Sequence, residues 1–323
     1  MTLRVLELFA GIGACSKALE ELGIDFEIVD AVEIDKYAIK SFNAIHNTNF
    51  ESQDIKDWDK DIECDLIIHG SPCQDFSIAG LGAGGNEGSN TRSSLLYESI
   101  RIIEKLQPKY VIWENVKNML SKKHCQNWYA YAKKLEELGY VNYCEVLNAK
   151  NYGIPQNRER VFTISIKKPI LKSFEFPQSI PLEKRLKDIL EKDVDKKYYL
   201  SNAKLKMVKF ENTTANIYSI PKVIGGIGKK DSNGGTQWKL QNRIYANQVA
   251  TSLVTSSFRP YYMTQETSLI IRRLTPKESW RLMGFSDEDY EKASKVCSAT
   301  QLYKQAGNSI VVDVLKAILK NLM

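Results

Sequence analysis

The apolar run Leu66-Ile67-Ile68, closed by Gly70-Ser71-Pro72, constrains the fold more than any other stretch. A short run without polar alternation, bounded by Gly and Pro, belongs in a parallel strand covered on both faces, and that requires helices above and below it. The chain is therefore expected to be an α/β protein with a Rossmann-like sheet. Ligands of such sheets sit in the crevice beyond the strand carboxyl ends, so Cys73, delivered there, is a candidate nucleophile. Pro72 stiffens the backbone beside it and Gly70 permits close approach. A lone cysteine is more often a small buried hydrophobe, so this reading depends on what the other strand ends deliver.

The same pattern opens the chain. Residues 3–9 read as a strand, Gly11 and Gly13 as a tight turn, and 14–22 as a helix. The spacing Gly11-x-Gly13-x-x-Ser16 lacks the third glycine of the dinucleotide fingerprint, so a nucleoside cofactor without a pyrophosphate fits better than NAD. A second strand, 26–32, ends at Glu33, about 20 residues past the loop, where a carboxylate can accept from both ribose hydroxyls. Ile34 follows and can pack on an adenine. After a helix over 36–46, residues 51–55 read as the close of a third strand, with Asp54 placed to accept from an exocyclic amine. Either carboxylate alone is ordinarily a solvated strand-end group; following successive strands, the two point together to a nucleoside site.

Beyond Cys73, residues 75–92 carry glycines at 80, 82, 84, 85 and 88 with no apolar periodicity. This segment reads as a lid, because it begins at the candidate nucleophile and ends where a helix over 93–106 starts. A strand over 110–113 then delivers Glu114, a carboxyl that an apolar pocket would keep protonated as a general acid. Arg158 and Arg160, two apart in an extended segment, are expected to share one face.

From residue 169 the character changes. Lysines and arginines recur between 184 and 209, interleaved with Tyr198, Tyr199 and Phe210, as on a surface that tracks a nucleic-acid backbone. The formal charge of +6 is too small to make that argument; the clustering carries it. No apolar run approaches a membrane span, so a cytoplasmic protein without a membrane partner is expected. The six cysteines lack metal-ligand spacing and read as reduced thiols, with no metal site. Thr275, Pro276 and Glu278 form a helix-capping signature, and Asn308-Ser309 reads as the opening of a last helix with one apolar face. That face should dock on the N-terminal sheet. Residues 1–168 plus 300–323 would then form a catalytic and cofactor-binding domain, with 169–299 as a target-recognition domain and hinge.

Taken in order, Phe9-Ala10-Gly11-Ile12-Gly13, Ser71-Pro72-Cys73-Gln74, Glu114-Asn115-Val116, Gln156-Asn157-Arg158-Glu159-Arg160, Arg273-Leu274-Thr275-Pro276 and Gln305-Ala306-Gly307-Asn308-Ser309 resemble the motifs of a bacterial or phage cytosine-5 DNA methyltransferase. The resemblance covers most of the chain outside residues 170 to about 265, which occupy the place of a target-recognition domain. It implies S-adenosylmethionine as methyl donor, with Phe9 and Ile34 around the adenine, Glu33 on the ribose, and Asp54 and Ile55 at the adenine edge. Gly11, Gly13, Pro72, Leu95 and Asn308 would complete the pocket. It further implies Cys73 as nucleophile, Glu114 on the cytosine N3 and N4 edge, Arg160 on O2 and Arg158 ordering the loop. The partner would be double-stranded DNA, bound by a monomer, with a cognate restriction endonuclease acting separately. A tRNA-directed enzyme could use the same site; the long basic insert favours duplex DNA.

Overall fold

The computed structural model describes residues 2–71, 95–170, 173–210, 221–228, 238, 240–254, 259–265 and 270–323. In chain order the first half runs β1 (Leu3–Leu8), α1 (Ala14–Leu22), β2 (Phe26–Val32), α2 (Lys36–His46), β3 (Leu66–His69), α3 (Leu96–Leu106), β4 (Tyr110–Val116), α4 (Cys125–Glu137), β5 (Tyr140–Asn148), β6 (Gln156–Asn157) and β7 (Glu159–Lys167). The second half adds α5 (Asn202–Leu205), β8 (Val208–Phe210), β9 (Val223–Ile227), β10 (Arg243–Tyr245), β11 (Ala250–Thr251), β12 (Tyr261–Gln265), β13 (Ile270–Arg273), α6 (Pro276–Arg281), α7 (Asp287–Ser294), α8 (Ala299–Asn308) and α9 (Val312–Leu322).

Six strands form the main sheet in the order β2-β1-β3-β4-β7-β5. The first four are parallel, while β7 runs antiparallel to both β4 and β5. Leu66, Ile67 and Ile68 are all buried, as a strand covered on both faces demands. Alternate residues feed two cores. Val5, Leu66, Ile68 and Ile112 pack with α1 and α9 on one side; Leu6, Leu8, Ile67, Val111 and Trp113 pack with α3 and α4 on the other. Because β1 lies between β2 and β3, the chain reverses direction of travel there, and this opens the crevice at the carboxyl ends of those strands.

The C-terminal helix docks where its apolar face required: Val312, Leu315, Ile318 and Leu319 share the core of α1 and the sheet. Helices α6 to α8 lie in the same layer rather than with the smaller sheet. Trp280, Leu282, Met283 and Ala293 belong to that core, and Lys17 of α1 pairs with Asp289 of α7 at 3.1 Å. The smaller sheet, β13-β12-β10-β9-β8, has its own cluster of Leu200, Ile224, Ile227, Ile244, Tyr261 and Ile271. Trp238 packs on it, and Gly226 leaves the space, since a Cβ there would lie 2.2 Å from the indole. A buried bidentate pair, Arg272 to Glu278 at 2.8 and 2.6 Å, ties β13 to α6. Glu278 also accepts from Thr275 N, completing the expected capping box.

Two local expectations fail. No strand closes at Ile55: the Asp54 side chain accepts from Lys56 N, turning the chain, and only Ile55 and Trp58 of this polar stretch are buried. Asn308 ends α8 instead of opening a helix, and the apolar helix begins at Val312. Among the described residues no helix is long and apolar enough to cross a membrane.

Candidate active site

The turn after β1 is built on positive backbone angles: φ is 54° at Phe9, 58° at Gly11 and 79° at Gly13. At Gly13 a Cβ would lie 2.1 Å from His46 Nε2, whose ring contacts Ile12 O at 3.2 Å. Gly13→Ala thus combines a left-handed backbone with a displaced histidine, and should lower unfolding free energy by about 2 kcal/mol in urea titration. The loop is clamped to β2 by Glu33. Gly11 N donates to its Oε2 at 3.0 Å and Asp35 N to its Oε1 at 2.8 Å. Burial raises the Glu33 pKa against these two hydrogen bonds. Each carboxylate oxygen retains acceptor capacity, and Ile34 beside it is 68 % exposed, an isolated apolar surface at the rim of a polar crevice.

Further contacts bring Asp54, Ile55 and the helix that carries Asn308 toward this rim. Gln53 N donates to Glu33 O at 2.9 Å, which sets Asp54 and buried Ile55 beside β2. Arg101 of α3 donates to Ile55 O at 3.0 Å, and Phe9 and Leu95 border the same apolar cluster as Ile55. Exposed Asn308 arrives on α8, which is held to the turn after β2 by Lys304 on Asp35 at 2.6 Å and to α2 by Gln305 Nε2 on Tyr37 O at 2.9 Å. An exposed apolar group, a carboxylate with free lone pairs and a glycine turn fit a nucleoside with ribose hydroxyls and no pyrophosphate.

Pro72, Cys73 and the glycine-rich 75–92 lie outside the described residues. What leads into them is fixed. Buried Ser71 accepts from Trp113 Nε1 at 3.1 Å through Oγ and from Asn115 Nδ2 at 3.2 Å through its carbonyl. Trp113 also lies parallel to the ring of His69, centroids 5.9 Å apart; burial pushes that histidine down to about 3, so it is neutral. Glu114 lies within β4 rather than beyond its end, with its side chain turned toward Gly70. It is 9 % exposed, and Arg160 Nε stands 3.1 Å from its Oε1. That contact is an ion pair without hydrogen-bond alignment, and Oε1 has no aligned donor among the described residues. Burial raises the Glu114 pKa, opposed by Arg160 and Arg158.

The two arginines do not share a target. Arg160 turns to Glu114, whereas buried Arg158 donates to backbone carbonyls of Leu253, Gly307 and Ser309. The sequence also concealed two further groups. Glu7, at the end of β1, accepts from Ser16 N and Oγ at the head of α1 and is pushed up to about 7 by burial. An acidic residue just before the glycine turn was the available signal. Gln156 is fully buried, accepting from Leu253 N at 3.0 Å and donating to Leu282 O at 2.8 Å. It thereby seats residues 250–253 beside the catalytic sheet, where Ala250 and Thr251 pair with Gln156 and Asn157.

Comparison with known proteins agrees with this geometry. A family model described as C-5 cytosine-specific DNA methylase matches residues 3–323. A type II methyltransferase, M2.ScrFI of Lactococcus lactis subsp. cremoris, is 35% identical over 99% of both chains. The orphan methyltransferase M.SPRI of Bacillus phage SPR is 31% identical, covering 99% of this chain and 97% of its own. Among solved structures, the S. pombe Dnmt2 methyltransferase superposes with a TM-score of 0.70 at 20% identity, over 98% of this chain and 97% of that one. That last likeness concerns the fold, an α/β methyltransferase core with a smaller inserted unit. A family match over essentially the whole length, on a chain whose β4 sets a buried glutamate beside the segment that leads into Pro72-Cys73, places this chain in the family of C-5 cytosine-specific DNA methylases, which transfer a methyl group from S-adenosylmethionine to C5 of a flipped cytosine.

Proposed function

We propose that the chain methylates one short duplex DNA sequence using Cys73 as nucleophile, Glu114 as acid and Arg160 as the cation beside it. The observation that carries this assignment is the buried Glu114 carboxyl turned toward Gly70, one strand across from the segment that leads into Cys73. A desolvated carboxyl can donate to cytosine N3 while its other oxygen accepts from N4, and Arg160 can hold O2. S-adenosylmethionine, when bound, supplies an electrophilic methyl group. Phe9, Ile34, Glu33, Asp54, Ile55, Leu95 and Asn308 are the residues we assign to hold it, with Gly11, Gly13 and Pro72 shaping the pocket. Extruding the base costs a few kcal/mol of unstacking and unpairing, offset by phosphate contacts.

The smaller sheet and its basic surround supply target recognition in this reading, with α6 and α7 forming the hinge. Its support is the placement of residues 250–253 against the catalytic sheet, together with a cluster of the smaller sheet's own around Ile224, Ile244 and Ile271. Similarity to type II and phage orphan methyltransferases supports a role in protecting DNA, beside a separate restriction endonuclease or alone.

Expression in a bacterium devoid of cytosine methylation, followed by genome-wide mapping of 5-methylcytosine, tests the proposal. One short methylated motif is the expected result. Methylation confined to tRNA from the same cells would overturn the DNA assignment. The cofactor site has its own test: Glu33→Ala, stripped of two charge-assisted bonds to ribose, should weaken S-adenosylmethionine binding about 10- to 100-fold in calorimetric titration. Unchanged affinity would remove Glu33 from the site.

A further inference from the structure

We propose that Arg158 couples cofactor binding to DNA binding, so that each ligand tightens the other through one buried guanidinium. The inference rests on the functional reading above. Arg158 is 3 % exposed and touches two segments distant in sequence. Its Nη1 donates to Leu253 O at 3.1 Å and lies 3.4 Å from Ser252 Oγ. Its Nη2 donates to Ser309 O at 2.9 Å and Gly307 O at 3.2 Å.

Each side belongs to a different ligand. On the first, residues 250–253 are held to the catalytic sheet by the β6 to β11 pairing and by Gln156, at the point where the recognition insert meets the crevice. On the second, Gly307 and Ser309 flank Asn308, and α8 is fixed to α2 through Gln305 on Tyr37 O and Ser41 Oγ on Gln305 Oε1 at 3.1 Å, and to the turn after β2 through Lys304 on Asp35. That turn carries Glu33, which holds Gly11. A continuous chain of polar contacts therefore runs from Ser252 to the glycine loop, and Arg158 is its central link.

The physical source of coupling is the burial of the charge. A guanidinium out of water is tolerated when its donors meet carbonyl oxygens, and its planar fork fixes where those oxygens must lie. Loss of the carbonyls on one side leaves donors dry and raises the free energy of the arrangement on the other. A ligand that fixes either segment thus favours the geometry the other ligand requires, and linkage makes the effect reciprocal.

The test uses the intact protein, a duplex bearing the motif found by methylation mapping, and S-adenosylhomocysteine, which transfers no methyl group. The duplex Kd is measured with and without saturating S-adenosylhomocysteine, and the reciprocal titration is run. For the unaltered protein the ratio should be about tenfold in both directions. Arg158→Lys keeps the charge but presents a compact ammonium in place of the fork; its ratio should fall below about twofold while S-adenosylhomocysteine alone binds within a few-fold of normal. A role confined to stability would weaken affinities or lower Tm and leave the ratio intact, so a retained ratio overturns the proposal, as does a ratio of one in the unaltered protein. Should Arg158→Lys not fold, Lys304→Met decides: it cuts the link between α8 and Asp35 at a half-exposed position, and must lower the ratio. Failure to methylate any DNA motif would count against the function itself, a separate outcome.

Discussion

Cys73→Ala folds, binds S-adenosylmethionine and transfers no methyl group, a loss of at least about 10^4-fold in kcat. Cytosine C5 is a weak nucleophile, and nothing in a buried strand-end crevice changes that without a covalent step. Addition of the Cys73 thiolate to C6 forms the S–C6 bond and shifts the ring electrons so that C5 becomes the nucleophilic carbon. Once C5 has gained the methyl group, loss of its proton and departure of the thiolate restore the aromatic ring. An alanine offers no electron pair for the first of these events. The bonds of Ser71 to Trp113 and Asn115 and the Glu33 clamp on Gly11 are made by other residues, and the substitution removes none of them. Cofactor titration should accordingly give a Kd within a few-fold of normal. Trapping by duplex containing 5-fluorocytosine supplies the second readout, since the fluorine at C5 blocks release of the sulfur; the unaltered protein should form a covalent complex and the variant none. Normal turnover by Cys73→Ala would sink the mechanism.

How much of this was legible follows from how far apart the interacting groups lie. Strand 26–32 and helix 36–46 were readable to the residue, because apolar runs and helical periodicity are local, as was the Thr275 and Glu278 capping box. The position of Glu33 just past β2 and close to the glycine turn was legible too, since both follow from local strand and turn signals. Residues 51–55 misled because Ile55 and Trp58 supply isolated apolar side chains in a stretch that Asp54 folds into a turn. The Arg158 links to Leu253 and Ser309 join residues far apart in sequence, and no local pattern announces them. The spacing of Arg158 and Arg160 implied a common face, yet Arg158 falls between β6 and β7, where the chain leaves one ladder for another and the alternation is broken. Gln156 is the same case: two β6 residues pairing with β11 are too short a ladder to read, although they decide where residues 250 and 251 of the inserted unit meet the main body.

Glu114→Gln should lower kcat about 10^2- to 10^3-fold while KM for DNA changes only a few-fold, because the two groups differ in what they can transfer rather than in what they can bind. A carboxamide still presents a donor to cytosine N3 and an acceptor to the N4 amine, so recognition of the base survives. It has no proton to give as negative charge builds on the ring during thiolate addition. The pH dependence separates this role from a purely structural one. Burial raises the Glu114 pKa, with Arg160 opposing it, so the protonated form persists to higher pH than for a solvated carboxyl. Activity requiring that proton is present below the raised pKa and declines as pH rises through it, whereas the need for a Cys73 thiolate makes activity decline as pH falls. The unaltered enzyme should therefore give a bell-shaped kcat profile, and Glu114→Gln should keep the acidic limb and lose the alkaline one. Retention of both limbs at full rate would mean that another group supplies the proton. A uniform drop in kcat and rise in KM with the bell intact would mean that Glu114 serves only to seat Arg160, since the amide removes their ion pair at 3.1 Å whatever the chemistry.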